Sequence, residues 1–255
     1  MQMGIDVHKY DYVIALAGNP NTGKTTLFNA LTGLRQHTGN WPGKTVVRAE
    51  GVFRYQDKKF KVVDLPGTYS LLSTSDDEEI ARNFLLFGRP DCTVVVVDAT
   101  SLERNLNLVL QILEITDEVV VALNLMDEAE RRGIYVDDRK LAKELGVPVI
   151  PTVARDRKGL DRLLQTVMDL VSGKIKTQPR RVKLPESMEL AISQLLPHLK
   201  QLYPHLPNHR WLAMRLLEAD PGIEQALLHD GFSHPDDDSG MGGSSLPVLE
   251  PVFEV

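Results

Sequence analysis

The sequence predicts an α/β fold with a mostly parallel six-stranded sheet, followed by a small all-helical domain. Three observations predict it. Apolar runs at 12–17, 60–65, 92–98, 119–125 and 147–151 alternate with helical patterns over the first 172 residues. Several runs are rich in Val and Ile and read as strands buried on both faces, the mark of parallel sheets. Beyond residue 173 no strand pattern remains, and apolar residues recur at helical spacing.

The first run, Tyr12-Val13-Ile14-Ala15-Leu16-Ala17, leads into Gly18-Asn19-Pro20-Asn21-Thr22-Gly23-Lys24-Thr25, which spells G-x-x-x-x-G-K-T. Such a loop between strand and helix aims backbone N–H groups at an anion held on the helix N-terminus. Thr26-Leu27-Phe28-Asn29-Ala30-Leu31 continues it as a helix, over about 24–32. From Val47 to Tyr55, Val47, Ala49, Gly51, Phe53 and Tyr55 alternate with polar neighbours, and Gln56-Asp57-Lys58-Lys59 turns the chain into the 60–65 strand. That hairpin places one antiparallel strand in the sheet. Further helices are expected at about 75–87, 102–115, 137–145 and 159–172, the first capped within Ser73 to Glu78. Such alternation implies right-handed crossovers and a ligand at the carboxyl ends of the strands.

Gly173 to Arg181 is a basic segment that reads as a solvated linker. Met188, Ala191, Ile192, Leu195, Leu196, Leu199 and Leu202 then share one helical face, with Pro197 expected to kink or divide the helix. Further helices are expected at about 208–218 and 221–229, the latter opening on Pro221. The expected organisation is 11–173, 182–231 and a poorly ordered Asp-, Gly-, Ser- and Pro-rich tail over 232–255. In that tail His234 and Asp236-Asp237-Asp238, with His229 before it, are spaced too loosely to suggest a metal site.

Composition narrows the function. A net charge of −6 argues against nucleic acid as the main partner. The single cysteine, Cys92, permits no intramolecular disulfide and opens a Val-rich run, as a buried strand residue would. No apolar run approaches the length of a membrane span and no signal-peptide core is evident. A soluble, cytoplasmic chain is the expectation.

Three later motifs give the glycine-rich loop a base preference. Asp64-Leu65-Pro66-Gly67 is D-x-x-G at a strand end: the carboxylate can serve Mg²⁺ and the Gly67 N–H can meet a γ-phosphate. Asn124-Leu125-Met126-Asp127 is N-x-x-D at another strand end, and an Asp carboxylate accepts from guanine N1–H and N2–H₂, which adenine cannot offer. Thr152-Val153-Ala154 follows the next strand, where a backbone N–H is expected to reach guanine O6; an ordinary strand-to-helix loop is the rival. The Gly/Pro-rich stretch 39–46 carries Gly43, Lys44, Thr45 and Val46 ahead of Val47, and Thr45 can offer its hydroxyl to Mg²⁺ and its N–H to the γ-phosphate.

These elements in this order resemble the Ras-like P-loop GTPases. The stretches G-N-P-N-T-G-K-T-T-L-F-N at 18–29, G-N-W-P-G-K-T-V at 39–46, D-L-P-G-T-Y-S-L at 64–71 and R-W-L-A-M-R-L-L-E at 210–218 resemble the cytoplasmic region of the ferrous iron transport protein B family. The resemblance covers about 11–231. It implies a GTP-hydrolysing domain, a helical domain like a dissociation inhibitor, and a membrane-embedded Fe²⁺ permease region on the same or a separate chain. It departs at Leu125, where related GTPases often carry a basic residue, at Val153, usually small and polar, and in the tail.

Nucleotide contacts are then expected from Gly18, Asn19, Pro20, Asn21, Thr22, Gly23, Lys24, Thr25 and Thr26, together with the three motifs and the 43–47 segment. Lys24 neutralises phosphate oxygens, and Thr25, Thr45 and Asp64 serve Mg²⁺. The position after D-x-x-G, often a water-orienting Gln in Ras-like enzymes, is Thr68, so slow turnover is expected. In potassium-activated relatives, the second Asn of G-x-P-N binds a monovalent cation. Here that residue is Asn21, which alternatively only stabilises the turn. Rival readings are an RNA- or ribosome-associated GTPase, which a basic domain would mark, and a non-catalytic nucleotide-switched interaction module. The sequence is compatible with an oligomer and does not require one.

Overall fold

In the computed structural model, the described residues are 9–33, 36–72, 75–204 and 208–228. The tail from 229, with its histidines and aspartates, and Ser73 lie outside them.

Seven strands form one sheet in the order β2-β3-β4-β1-β5-β6-β7. They are β1 (Tyr12–Gly18), β2 (Gln36–Asn40), β3 (Val47–Tyr55), β4 (Lys58–Asp64), β5 (Cys92–Asp98), β6 (Val119–Asn124) and β7 (Val149–Pro151). β4, β1, β5, β6 and β7 run parallel, while β2 and β3 are antiparallel. The hairpin and the parallel core match the expectation; β2 is an addition to the six expected strands. Its sequence, Gln-His-Thr-Gly-Asn, has no apolar alternation. It is a strand only because β3 offers an unpaired edge, along which Gln36 faces Gly51 and Asn40 faces Val47.

The central strands explain their own position. β6 is buried along its whole length, and in β5 only the terminal Asp98 departs from burial. Both faces must therefore be covered, and helices cover them. On one side lie α1 (Lys24–Thr32) and α6 (Leu160–Val171), which contribute Leu27, Phe28, Leu163 and Val167 to the core. On the other, α3 (Leu102–Ile115) contributes Leu108, Val109, Ile112 and Leu113. Next to it is α2 (Asp76–Asn83), capped by Ser75, whose hydroxyl accepts from Glu78 N–H, and continued by a π-helical turn over Phe84–Gly88. α5 (Asp138–Leu145) precedes β7, and the short α4 (Met126–Arg131) begins within the N-x-x-D motif. Cys92 is fully buried, and burial pushes its thiol pKa up.

The linker over 173–181 is more ordered than its charge suggests. Gln178 and Arg180 donate backbone N–H groups to Gly146 and Leu145, and Arg181 pairs with Asp117. Beyond it come α7 (Glu186–Leu202), α8 (His209–Leu217) and α9 (Pro221–Leu228). Pro197 does not divide α7, which runs unbroken through it. Packing offsets the lost hydrogen bond: Ile192 and Leu199 are buried on either side of Pro197. These helices share the core of the first unit, since Trp211, Leu212, Met214 and Ile223 belong to the same cluster as α3. Asn208 caps α8 through Trp211 N–H and donates its amide to the carbonyls of Glu114 and Ile115 at the end of α3. Asp220 reaches to 3.7 Å from the buried Arg82 of α2.

Candidate functional site

The glycine-rich loop lies at the carboxyl end of β1, in the centre of the sheet, and opens into a cleft of about 550 Å³. Asn19, Pro20, Asn21, Gly23, Lys24, Thr25, Thr26 and Gly67 line it. The parallel topology produces this convergence: β4 and β1 are neighbours, so the segment after β4 arrives beside the loop after β1. Leu65 N–H donates to Leu16 and Thr68 N–H to Gly18, which fixes D-x-x-G against the loop.

Lys24 occupies the focus. Its ammonium donates to Asp64 Oδ1 at 2.5 Å and to the Leu65 carbonyl at 2.6 Å. Burial raises the Asp64 carboxyl pKa above its usual range, with Lys24 pulling it back. The Thr25 hydroxyl at the cleft and the Asp64 carboxylate beside it are hard oxygen donors, the chemistry Mg²⁺ selects.

A second set of contacts ties the phosphate end to the N-x-x-D end. Asn124, 1% exposed, donates its amide N–H to the Thr22 carbonyl at 2.9 Å. Its Oδ1 accepts from Ala154 N–H at 3.0 Å and from the Thr152 hydroxyl at 3.2 Å. Gly23 is the residue this contact demands. It sits at φ 84°, and a Cβ there would collide with Asn124 Nδ2. Asn124 is thus a strut joining three loops.

The 152–154 loop departs from expectation. Its three N–H groups are all engaged by the protein: Thr152 with Leu123 O, Val153 with Lys158 O, and Ala154 with Asn124 Oδ1. No free donor for guanine O6 is found there in this conformation, because the loop spends its N–H groups on its own turn and on the strut. Asp127 projects from the first turn of α4, behind Leu125, which takes a left-handed φ of 62°. Its Oδ2 accepts from Arg155 Nη2 at 2.7 Å and lies 3.5 Å from Arg131 Nη2. Sequence reasoning missed Arg155. No sequence signal marks it, since only the folded turn sets it across from N-x-x-D.

The 43–47 segment is not brought to the cleft. Trp41 and Val46 close the β2–β3 hairpin through Trp41 N–H to Val46 O, leaving Thr45 exposed at its tip. Trp41 is buried edge-on to Phe84, with ring centroids 5.6 Å apart. Lys44 donates to Asp76 and Glu79 of α2, at 2.7 and 2.9 Å. Val47 is 64% exposed as the first residue of β3.

The family pattern described as Ferrous iron transport protein B matches residues 12–167, and that described as FeoB cytosolic helical domain matches 185–238. The chain belongs to this family. The Fe(2+) transporter FeoB of Escherichia coli K12 is 43% identical over 219 residues, 81% of this chain. The alignment covers 27% of that protein, so the chain spans about a quarter of the FeoB relatives it matches. Among solved structures, the cytosolic domain of Legionella pneumophila FeoB is 38% identical, with a TM-score of 0.77 and 86% of each chain covered. The cytosolic domain of Thermotoga maritima FeoB, solved in a GDP form, is 38% identical, with a TM-score of 0.79 and 85% of each chain covered. Among the described residues, no helix is long and apolar enough to cross a membrane.

Proposed function

We propose that this chain is a GTP-binding and GTP-hydrolysing unit that sits on the cytoplasmic side of a membrane and regulates the passage of ferrous iron through a membrane region. The observation that carries the reading is the gathering at the strand ends of Lys24 and Asp64, of Asn124 tied to Thr22 and Ala154, and of Asp127 beside Arg155. It offers a triphosphate a cation at one end and a guanine a carboxylate at the other. A GDP form of the related Thermotoga maritima domain, and the Fe²⁺-transporter names of the relatives, support the ligand and the role. In this reading 11–173 binds the nucleotide and 182–231 is the helical regulatory domain.

The chemistry asked of the protein is positioning and charge compensation. Lys24 holds β- and γ-phosphate oxygens, leaving its present partners Asp64 and Leu65 as it does so. Gly67 N–H faces the γ-phosphate. Thr25, Asp64 and a relocated Thr45 would hold Mg²⁺, which would supply positive charge beside the phosphates. Asn21 lines the same cleft and would hold K⁺, adding positive charge without a partner arginine. Thr68 is buried and its hydroxyl donates to the Ser70 carbonyl, so it is not free to orient water, and turnover is slow.

A binding and hydrolysis panel, GTP against ATP, tests the reading, with Asp127→Ala as the diagnostic variant. Loss of a charge-assisted pair lowers GTP and GDP affinity about 10-fold or more. A folded Asp127→Ala protein with wild-type affinity removes the guanine assignment.

A further inference from the structure

We propose that Arg155 competes with guanine for Asp127: its guanidinium occupies the carboxylate edge that the base must take. The inference rests on the base-reading role proposed above for Asp127.

The placement is specific. Arg155 belongs to the 3-10 turn Ala154–Asp156, whose first N–H is pinned by Asn124 Oδ1. The pinned turn delivers Arg155 Nη2 to Asp127 Oδ2 at 2.7 Å, the shortest contact Asp127 makes among the described residues. Arg131, one helical turn along α4, stands at 3.5 Å from the same oxygen. Guanine presents N1–H and N2–H₂ as parallel donors to both carboxylate oxygens, a fork of the same form as the guanidinium's. Oδ2 has two lone pairs, and Arg155 at 2.7 Å and Arg131 at 3.5 Å already engage them, so a guanine donor on Oδ2 must displace one of these guanidinium groups. Guanine binding is therefore an exchange of one donor fork for another, and part of its gain is spent in displacing Arg155.

The expected size follows from exposure. The Arg155 side chain is 64% exposed and that of Asp127 24%, so the pair is a surface ion pair of modest strength. Removing it should tighten guanine-nucleotide binding about two- to fivefold. Arg155 also adds positive charge near an anionic ligand, which acts in the opposite direction, so the single variant is not decisive.

The experiment is a double-mutant cycle on nucleotide-free protein, reading the Kd of fluorescently labelled GDP for wild type, Arg155→Ala, Asp127→Ala and the double variant, with melting curves for each. Competition requires that Arg155→Ala improve binding relative to its effect in the Asp127→Ala background, by about twofold or more. The excess should shrink as salt rises from about 0.01 M to about 1 M, where the screening length falls from about 30 to about 3 Å. An equal effect in the two backgrounds, or weaker binding only when Asp127 is present, overturns the proposal. Wild-type affinity in folded Asp127→Ala removes both the competition and the base-reading role. A loss there without coupling removes the competition alone.

Discussion

The strut at Asn124 and the hairpin carrying Thr45 are two loop regions of one site, held by opposite means. Around Asn124 the partners are buried: Thr22 is 1% exposed, Thr152 2% and Ala154 3%. Their hydrogen bonds run between loops distant in sequence, and water is excluded. The Thr45 hairpin is held by an edge strand, by surface ion pairs of Lys44 and by one buried ring, Trp41. Buried, fully paired networks are costly to break, and exposed pairs are not. The base end of the site is therefore preformed, while the segment expected to sense the γ-phosphate is parked where little must be lost to move it.

Breaking the strut should have the largest effect. Asn124→Ala leaves the Thr22 carbonyl and the Ala154 N–H without their partner in a buried setting, while the Thr152 hydroxyl keeps the Leu123 carbonyl. A loss of about 2–3 kcal/mol in stability is expected, with GDP affinity down about 100-fold, or about 2.7 kcal/mol. Chemical denaturation and equilibrium nucleotide binding measure the two separately. A folded Asn124→Ala protein that keeps wild-type affinity shows that the tie holds the loops without serving the ligand.

The contrast also explains what the sequence reveals. Lys24, Asp64 and Asn124 are legible because each belongs to a motif at a strand end, where parallel topology gathers the loops whatever the side-chain detail. β2 is illegible because its four polar residues and one glycine take their strand conformation from β3. Arg155 is illegible for a different reason: exposed arginines are common, and only the folded turn brings this one to Asp127. Pro197 misleads because local backbone preference yields to burial on both sides of it. The role of Ala154 N–H could not be foreseen, since one N–H looks like another until its acceptor is known.

Thr45 sharpens the comparison from the exposed side. Thr45 does not line the cleft, and its proposed partners are Mg²⁺ and the γ-phosphate, which GDP lacks. Thr45→Ala should leave GDP affinity within about twofold and slow GTP hydrolysis about 10-fold, roughly 1.4 kcal/mol of barrier. Single-turnover hydrolysis at saturating GTP is the measurement. Unchanged turnover would show that the hairpin never closes on the γ-phosphate.

Asn21 lies on the preformed side, at the cleft wall, with φ 66°. If it holds K⁺, wild-type hydrolysis should run several-fold faster in K⁺ than in Na⁺ at equal ionic strength, an effect of about 1 kcal/mol. Asn21→Ala should erase most of that difference and spare GDP binding. Equal wild-type rates in the two salts would reject cation activation and leave the GTPase reading standing.

The smallest effect belongs to Lys44. Asp76 and Glu79 raise its pKa, so the ammonium is held charged and the pair is fully formed below the ordinary lysine pKa. Both carboxylates are more than a third exposed, which limits the pair to about 0.2–1 kcal/mol. Lys44→Ala should therefore loosen the hairpin without unfolding anything. Trp41 reports on this directly, because the chain has 2 tryptophans and Trp211 can be replaced by Phe. In that background, Lys44→Ala should shift Trp41 emission slightly to the red in the nucleotide-free protein. It should also speed closure on a non-hydrolysable GTP analogue by about two- to fivefold. Adding salt to the parent protein should reproduce part of the gain by screening the same pair. If Lys44→Ala leaves both spectrum and closure rate unchanged, the ion pairs are bystanders. The edge strand and the Trp41–Phe84 contact would then be what holds the hairpin away from the nucleotide.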